Sequence, residues 1–521
     1  MQGFKATWEK NMVEIKRVLI ANRGDCARRI AGTVVRLGKT PIAVYEAPDK
    51  NSLHVKEAVE AHEISSYTDI GSFIDVARES GADAIHPGWG FQSENPKFRK
   101  ECDKAGIIFI GPTEEAMRKA GNKETAKKIA RKLGIPAIRS SSRVKRSDIA
   151  GWASRHGLTN GDDSVAMMIK AAKGGGGSGN TVVFRLRDLE EAAERLTNHS
   201  RKLWGKSRVF VERLVTDAHH VEGQIVGDEH GHLIYAGSRD CTVQYGNQKV
   251  IEEAPAPFLS SEQERLVQEY SLAFGNEIGY SSAGTVEFLL SSKEGLLFME
   301  FNTRVQVEHG VTELVTGLDL VEQQILIAEG KSLPAQEEIK FSGAAIEARV
   351  NAQTIYEADP RTLIPAGGVV ENVIFPEGKN IRVDHALYDG YEINMNYNPT
   401  QAKVIAWSSD RDGAIEGLKS ALGRFSITGV ETNIPLILEV LSHPDFLGGQ
   451  HKTTFFGQML RELAEKEDGN REMAAAIGVA VASALQERQK EKGTLPANGR
   501  LWRQAGRTDQ MNARGNFGGR R

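Results

Sequence analysis

The stretch MEFNTRVQVEH, residues 299–309, alternates polar and apolar side chains. Successive side chains of a β-strand point to opposite faces, so an extended chain would place the polar ones in a single row. That row would consist of Glu300, Asn302, Arg304, Gln306 and Glu308. Alternation alone favours a half-buried strand with a solvated face. A solvated face that carries no serine or lysine, however, raises the question of which ligand would lie on it.

The chain of 521 residues has the composition of an ordinary soluble globular protein, with 40% apolar and 26% charged residues. A net charge of −3 predicts no general attraction to nucleic acid or to a membrane surface. The three cysteines, Cys26, Cys102 and Cys241, have neither metal-site nor disulfide spacing. The N-terminus lacks an apolar signal core, and the longest apolar run, residues 473–485, is too short to cross a bilayer. We therefore expect a cytoplasmic protein without a transmembrane segment.

Strands and helices alternate in the first part of the chain. The predicted strands are residues 17–21, 40–46, 82–87 and 107–112, and the predicted helices are residues 23–37, 70–80 and 95–105. Strands separated by helices of this length form a parallel sheet, which binds ligands beyond the carboxyl ends of its strands. The motifs NRGD (22–25) and HPGWGF (86–91) follow strands at such ends, where glycine permits tight turns.

Antiparallel strands dominate after residue 123. They are predicted between residues 208 and 240, before a helix at 261–274. The segments AGTVEFLLS (283–291) and LLFMEFNTRVQVE (296–308) predict a hairpin joined by the polar turn SKEG. A third region begins near residue 341 and ends near residue 463. Beyond it, an alanine-rich helix is expected at 471–490, followed by a basic, flexible end.

A glycine run, KGGGGSGN, follows the apolar strand that carries Lys170. Its four consecutive glycines are Gly174, Gly175, Gly176 and Gly177. Glycine lets the backbone approach an anion and donate N–H groups to it. No GK[ST] follows, so this is not a Walker loop. A flexible turn is the alternative, but a mobile lid over ATP phosphates fits better because Lys123 and Lys170 supply positive charges.

Two carboxylates face each other in the predicted hairpin. Glu287 lies on its first strand, whereas Glu300 and Asn302 lie on its second. Carboxylate and amide oxygens suit Mg²⁺ or Mn²⁺ shared with a polyphosphate. The alternative is an exposed face with unfavourable repulsion between like charges across the strands. That repulsion favours a bound cation, and we predict a metal site.

The rest of the polar row suits an anion and a base. Arg304 can bind a small planar oxyanion, and Lys249 is a second candidate cation. Glu308 beside a cation would stay ionised and can act as a base. Arg349 stands alone on an otherwise apolar strand. A buried salt bridge and a catalytic role are equal alternatives for it.

Long motifs follow one another along the chain: IANRGD (20–25), HPGWGFQSEN (86–95), GNK (121–123), IKAAKGGGGSGN (169–180), HHVEGQ (219–224), RDCTVQYGNQKVIEEAPAP (239–257), MEFNTRVQVEHGVTELVTGLDLV (299–321) and IEARVNA (346–352). Taken in this order, they resemble the motifs of biotin carboxylase, the ATP-grasp component of biotin-dependent carboxylases. The resemblance extends from about residue 16 to about residue 463. It implies an α/β and α+β architecture with a Rossmann-like N-terminal domain, an ATP-grasp domain with a mobile glycine-rich lid, and a C-terminal biotin carboxylase domain. It also implies that ATP activates bicarbonate as carboxyphosphate, whose carbon is transferred to N1′ of biotin.

The resemblance assigns expected roles by position. ATP is expected at Lys123, Lys170, Gly174, Gly175, Gly176, Gly177, His220, Glu222 and Gln244. The metal is expected at Glu287, Glu300 and Asn302. Bicarbonate is expected at Lys249, Arg304, Gln306, Val307 and Glu308. Glu308 matches the general base, and Arg349 matches the residue that stabilises the biotin enolate.

The same resemblance predicts domains and partners. The expected domains are residues 14–122, 123–340 with a lid at about 140–215, 341–465, and a tail at 466–521. The sequence contains no Met-Lys-Met biotinylation motif, so we expect biotin on a separate carrier protein, together with carboxyltransferase subunits and a homodimer within a larger complex. Small residues at four-residue spacing in the tail helix could pack on a partner, although packing on its own domain is an equal alternative. Deleting residues 471–521 should release the subunit from its complex if the first alternative holds.

Several positions depart from the family pattern. They are Asp25, Ser178, His219, Asn247, Asn398, Thr400 and Gln401. Because the principal carboxylates and cations are all present, we predict an active enzyme in which carrier docking or nucleotide affinity is altered. Another ATP-grasp ligase, joining a carboxylate to an amine, and a scaffold without catalytic activity remain alternatives.

Overall fold

A computed structural model describes residues 12–141, 148–160, 166–171, 180–204, 209–216, 218–246, 248–356 and 359–466. The strands are β1 (Arg17–Ile20), β2 (Thr40–Tyr45), β3 (Ala61–Glu63), β4 (Ala84–His86), β5 (Ile108–Phe109), β6 (Met167–Ala171), β7 (Asn180–Val183), β8 (Val209–Arg213), β9 (Ala218–Gly227), β10 (Leu233–Tyr245), β11 (Gln248–Ala254), β12 (Ser282–Ser291), β13 (Gly295–Asn302), β14 (Ala344–Asn351), β15 (Gln353–Tyr356), β16 (Asp359–Pro365), β17 (Asn372–Ile374), β18 (Ile381–His385), β19 (Thr400–Ser408) and β20 (Ser426–Thr428).

The helices are α1 (Gly24–Arg36), α2 (Leu53–Lys56), α3 (Ile70–Glu79), α4 (Pro96–Ala105), α5 (Glu114–Ala120), α6 (Lys123–Lys132), α7 (Ile149–Arg155), α8 (Leu189–Trp204), α9 (Ser261–Ile278), α10 (His309–Thr316), α11 (Leu320–Ala328), α12 (Arg411–Arg424), α13 (Ile434–Ser442) and α14 (Pro444–Leu447). The chain divides into two compact units, residues 1–459 and 460–521. In the second unit the structure describes residues 460–466, which are helical. No helix among the described residues is long and apolar enough to cross a membrane.

The N-terminal strands form the predicted parallel sheet, in the order β3-β2-β1-β4-β5. Its interior is apolar because the short strands are buried on both faces, as the fully buried Leu19, Val44 and Ile85 show. Strand β3 was not predicted, since its three residues, Ala-His-Glu, carry no apolar run. The turn after β1 leads directly into α1, so the NRGD motif lies at the carboxyl edge of the sheet as expected.

An eight-stranded sheet forms the centre of the protein, in the order β13-β12-β9-β10-β11-β14-β19-β18. The predicted hairpin is confirmed: β12 and β13 pair antiparallel, with Glu287 opposite Glu300. Behind this hairpin, α9 contributes to an aromatic core in which the rings of Phe274 and Phe298 stack at 5.0 Å. A smaller sheet, β7-β6-β8, packs against α7 and α8 around its own apolar cluster. The glycine run predicted as a lid lies outside the described residues.

The prediction that residues 300–308 form one extended row was wrong. Strand β13 ends at Asn302, and Glu308 is the N-cap residue of α10. Asn302 pairs with Thr285, and β12 begins only three residues earlier, so β13 has little partner strand left. From His309 onward, the apolar residues have the spacing of a helix, and α10 begins there. The polar side chains of this segment therefore converge from a strand, a turn and a helix start.

We predict that Phe298→Ala lowers the free energy of unfolding by about 3–5 kcal/mol, because it opens a cavity among stacked rings. Phe298 is fully buried, stacks on Phe274 and meets Phe288 edge-on. Urea unfolding of the whole chain, followed by fluorescence and circular dichroism, measures the change. The matched control is Phe184→Ala, whose side chain is half exposed and which should change stability little. Equal effects of the two substitutions would contradict this description of the core.

Candidate active site

A single lysine lies among three buried carboxylates at the centre of the large sheet. The Lys249 ammonium on β11 contacts the carboxylates of Glu222 and Glu308, and lies 3.5 Å from Glu287. Glu222 stands directly opposite Glu287 in the β9–β12 pairing, which brings two like charges together on one face. Such a pair is unfavourable without a cation between the strands. Lys249 supplies that cation.

The charges of this cluster depend on one another. Burial alone would raise the pKa of Glu308, but Lys249 and Arg349 hold it well below its usual range. Burial likewise opposes ionisation of Glu287, yet Lys249 and His220 hold its pKa below the usual range. For Glu222, burial outweighs Lys249, and the pKa is raised. Glu308 therefore stays ionised at neutral pH, as the sequence predicted.

The predicted metal ligands lie on one face of the β12–β13 hairpin. Glu287 and Glu300 are opposite each other in register, and the Asn302 amide group donates to Glu287 Oε1 at 2.7 Å. That orientation leaves the amide oxygen of Asn302 as a further ligand beside two carboxylates. The donor set is made of hard oxygens, which fits Mg²⁺ or Mn²⁺. Ligand atoms of His220 and Glu222 also lie within 4.8 Å of Glu287.

The side chains predicted to bind bicarbonate lie next to this face. Arg304 donates to Gln306 Oε1 at 2.8 Å, and the Gln306 amide donates to Glu287 at 3.3 Å. The buried Arg304 Nε has no hydrogen-bond partner among the described residues, and its nearest carboxylate, that of Glu94, is 3.7 Å away. A guanidinium N–H without a hydrogen-bond partner is suited to a small oxyanion. At Val307, the backbone carbonyl accepts from Lys403 at 2.8 Å.

Arg349 has both of the features that were treated as alternatives. Its Nε donates to Glu252 at 2.6 Å, and another guanidinium nitrogen donates to Glu308 at 2.9 Å. The predicted buried salt bridge is therefore present. The same contacts place Arg349 beside the proposed base, so a salt bridge does not exclude a catalytic role. A chain of charged contacts runs from Glu222 through Lys249 and Glu308 to Arg349.

Two lysines predicted to face phosphates are held by carboxylates. Lys123, at the start of α6, lies 2.6 Å from Glu300. Lys170 on β6 lies 2.9 Å from Glu212, which also contacts Lys127. The two ammonium groups outweigh the effect of burial and lower the pKa of Glu212 to about 2. Lys170 is thus anchored within the small sheet, because Glu212 lies on the neighbouring strand β8.

Two further predicted ATP-site residues contact each other. Gln244 Nε2 lies 2.6 Å from His220 Nδ1, and His220 Nε2 lies 3.1 Å from Glu287. This connects the predicted nucleotide residues to the predicted metal face. The predicted lid residues Gly174, Gly175, Gly176 and Gly177 lie outside the described residues, as do the departures Ser178 and Asn247.

Some residues of the site were missed by sequence reasoning. Arg239, fully buried on β10, donates to Glu222 through two nitrogens at 2.9 and 2.8 Å. Glu212 anchors two lysines, and Glu252 holds Arg349. A signal was available: Arg239 and Glu252 interrupt strands that are otherwise buried, and a buried charge needs a partner. The partner of each buried charge cannot be predicted until the order of the strands is known.

Two of the departures from the family pattern make contacts outside the Lys249 cluster. The imidazole of His219 stacks on Phe258, with the ring centroids 3.6 Å apart. Thr400 donates to the Asn351 side chain at 2.8 Å, two residues beyond Arg349 on β14. Neither position belongs to the Lys249 cluster. These two departures therefore leave the central charges in place.

Comparisons with known proteins agree with this architecture. Residues 14–117 match the family model "Biotin carboxylase, N-terminal domain", and residues 347–458 match "Biotin carboxylase C-terminal domain". Between them, residues 122–336 match "Carbamoyl-phosphate synthase L chain, ATP binding domain". The fold and the paired charges define an ATP-dependent ligase with the ATP-grasp fold.

Related proteins make the assignment more specific. The chain is 38% identical to the biotin carboxylase of Halalkalibacterium halodurans over 86% of its own length and 98% of the relative. It is 39% identical to mouse mitochondrial methylcrotonoyl-CoA carboxylase subunit alpha over 86% of its length, but spans only 62% of that relative. The chain therefore belongs to the biotin carboxylase family.

A solved structure matches to a similar extent. It is the biotin carboxylase domain dimer of Hydrogenobacter thermophilus 2-oxoglutarate carboxylase, in complex with MgADP, ADP and bicarbonate. The similarity has a TM-score of 0.81 at 36% identity and covers 86% of this chain and 98% of that one. The predicted fold class is thus confirmed, including the Rossmann-like N-terminal domain.

We predict that Arg239→Met lowers the free energy of unfolding by about 3–5 kcal/mol, because it leaves Glu222 without its guanidinium partner in the interior. Chemical denaturation of the whole chain measures this loss. The control is Arg265→Met, which removes an arginine whose side chain is 59% exposed and should cost under about 1 kcal/mol. A buried substitution no more costly than the exposed one would show that Glu222 does not need Arg239.

Proposed function

We propose that this chain carboxylates biotin held on a separate carrier protein, with ATP and bicarbonate as substrates and carboxyphosphate as the activated form. One observation carries the proposal: Glu308, a buried carboxylate, is held ionised between Lys249 and Arg349. A base fixed between two cations is suited to a substrate that is an anion and must also lose a proton. The neighbouring Arg304 offers a further guanidinium donor for that anion.

In this proposal Lys249, Arg304, Gln306 and Val307 bind and orient bicarbonate beside Glu308. The Glu308 carboxylate accepts the proton of bicarbonate as a bicarbonate oxygen attacks the terminal phosphorus of ATP; the bond from that phosphorus to ADP breaks, and carboxyphosphate forms. Because Glu308 is already ionised, it does not have to lose a proton before it accepts one from bicarbonate. Holding the attacking oxygen and the base together lowers the entropic part of the barrier.

The nucleotide is proposed to lie between Lys123, Lys170 and the pair His220–Gln244. Glu287, Glu300 and Asn302 would hold Mg²⁺ or Mn²⁺, which neutralises phosphate charge when bound. Glu222, which is also expected at the ATP site, is connected to the metal ligand Glu287 through Lys249. The lysines would exchange their present carboxylate partners for phosphate oxygens. The glycine run at residues 174–177 is proposed to cover the phosphates.

Arg349 is proposed to stabilise the anion that forms when biotin loses its N1′ proton. Its guanidinium is charged at every working pH, since Glu252 and Glu308 outweigh burial and raise its pKa. Carboxyphosphate is proposed to break down to carbon dioxide and phosphate, the phosphate to take the N1′ proton, and N1′ to bond to the carbon dioxide, while Arg349 lies beside Glu308. One arginine would thus orient the base first and the biotin oxyanion afterwards.

The partners are proposed from the relatives. Those relatives include subunits of methylcrotonoyl-CoA, propionyl-CoA and 2-oxoglutarate carboxylases. We propose a carboxyltransferase partner, a homodimer and a cytoplasmic location, the last supported by three buried free cysteines. The proposed domain boundaries stay at 122/123, 340/341 and 465/466. The final acceptor of the carboxyl group is an acyl-CoA or an oxo-acid.

The direct test measures phosphate release from ATP and Mg²⁺, with and without bicarbonate and free biotin. Release that requires bicarbonate and rises with biotin is the expected result. Release indifferent to bicarbonate would favour a ligase that joins a carboxylate to an amine. A chain that releases no phosphate under any of these conditions, even with a biotinylated carrier, would be a scaffold.

We predict that Glu308→Gln lowers bicarbonate-dependent phosphate release at least about 100-fold, because the amide cannot accept the proton. Steady-state kinetics with saturating ATP measure the loss as kcat. The control is Glu262→Gln on the exposed face of α9, which should change kcat less than about twofold. Retention of wild-type kcat by Glu308→Gln would remove the base from the mechanism.

We further predict that Arg349→Met separates the two stages. Phosphate release without biotin should stay within about tenfold of wild type, whereas carboxylation of biotin should fall at least about 100-fold, because only the second stage forms the biotin anion. Parallel assays of phosphate and of carboxybiotin measure the separation. An equal loss in both assays would mean that Arg349 acts only by holding Glu308.

A further inference from the structure

Two buried carboxyl groups near Arg349 take no direct part in the chemistry proposed above. Glu252 on β11 and Glu347 on β14 are opposite each other in the antiparallel pairing of these strands. Side chains at directly opposite positions point to the same face, with Cβ atoms about 5 Å apart. Both residues have no solvent exposure. Two like charges so close together in the interior cannot both be stable.

Within the part of the chain that the structure describes, most carboxyl oxygens of this pair have no hydrogen-bond partner. Both carboxyl oxygens of Glu347 lack a hydrogen-bond partner among the described residues, and so does one oxygen of Glu252. The other oxygen of Glu252 accepts from Arg349 at 2.6 Å. A buried carboxylate without partners is strongly destabilised, so such a group takes up a proton instead. Burial raises the pKa of Glu252 to about 7 and that of Glu347 to about 8.

The nearby cations do not satisfy Glu347. The charged groups facing it are Lys403 on β19, Glu252 on β11, Arg349 on β14 itself, Glu308 at the start of α10 and Arg382 on β18. Lys403 donates to the Val307 carbonyl at 2.8 Å and lies 3.5 Å from Asp384. Arg382 donates to Asp384 and Glu313. Helix α12 packs on the opposite face of the sheet, where Gly417 approaches Ala406.

We propose that Glu347 is a positioning residue that acts through Glu252 on Arg349: the two carboxyl groups share protons at neutral pH, and their ionisation weakens the ability of Arg349 to stabilise an anion. The inference rests on the proposed function and deepens it. With the pair protonated, Glu308 is the only full negative charge in contact with Arg349 among the residues that the structure describes. With the pair ionised, two more negative charges lie behind the guanidinium, and a developing oxyanion in front of it is stabilised less.

The sign of the pH effect follows from these directions. The pair holds its protons below about pH 7 and loses them as the pH rises through about 8. Carboxylation of biotin should therefore lose a stabilising interaction on the alkaline side. Phosphate release without biotin does not form the biotin anion, and it should be insensitive to this ionisation. The two stages thus differ in their expected response.

The test compares Glu347→Gln with wild type in both assays from pH 7 to pH 9. We expect the ratio of variant to wild-type kcat for biotin carboxylation to rise at least about threefold over this range, because the amide cannot ionise. The ratio for phosphate release without biotin should stay within about twofold. The matched control is Glu253→Gln, the next residue on β11, whose carboxylate is paired with Arg411. Its ratios should be flat in both assays.

A ratio for Glu347→Gln that stays flat with pH in the biotin assay would overturn the proposal, as would the same rise in both assays. Should Glu347→Gln fail to fold, Glu252→Gln neutralises the other member of the pair and has the same expected profile. Infrared spectra of the resting protein supply a readout without turnover. A protonated carboxyl band that disappears between pH 7 and 9 in wild type, and is reduced in either variant, supports the shared proton.

Absence of that band at pH 7 would contradict the proposal even if catalysis behaved as expected. The infrared result also separates this proposal from the proposed function. If wild type carboxylates no biotin but shows the band, the proposed function has failed and the shared proton has not. If wild type carboxylates biotin without the band, the failure lies with Glu347.

Discussion

The interior of this protein is organised around the need to neutralise three carboxylates that meet at one ammonium group. Glu222, Glu287 and Glu308 come from two strands and a helix start, and Lys249 comes from a third strand. At an effective dielectric constant of about 20, two unit charges 4 Å apart interact by about 4 kcal/mol. Repulsion among the carboxylates would therefore rival the whole stability of a domain without a cation between them. Strands β9, β11 and β12 and the start of α10 must therefore be placed so that their charged side chains meet at Lys249.

Pairing of cations with carboxylates is also found in the rest of the site. Three of the cations that are proposed to meet a substrate anion already have a carboxylate partner: Lys123 has Glu300, Lys170 has Glu212 and Arg349 has Glu308. Binding of substrate then exchanges one anion for another instead of desolvating a bare charge. Preformed pairs also fix the side chains before substrate arrives, which favours catalysis by preorganisation. Stability and binding are thus provided by the same contacts.

The sequence predicted the parts of this arrangement that have local signals. The hairpin with Glu287 opposite Glu300 follows from alternation and a polar turn, and the parallel sheet follows from alternating strands and helices. The single row ending in Glu308 was wrong, because the length of the partner strand and the helical spacing after His309 decide where β13 ends. The contacts of Arg239 and Glu252 could not be predicted, since they depend on which distant strands become neighbours.

The most direct test of the account uses bicarbonate labelled with ¹⁸O. If Glu308 and its neighbours direct a bicarbonate oxygen to the terminal phosphorus of ATP, one labelled oxygen must appear in the released phosphate. Mass spectrometry of phosphate from the first turnovers, before the label exchanges with water, measures it. We expect one ¹⁸O atom per phosphate, with label and turnover both lost in Glu308→Gln. Unlabelled phosphate released by the active wild-type protein would mean that water, and not bicarbonate, attacks ATP.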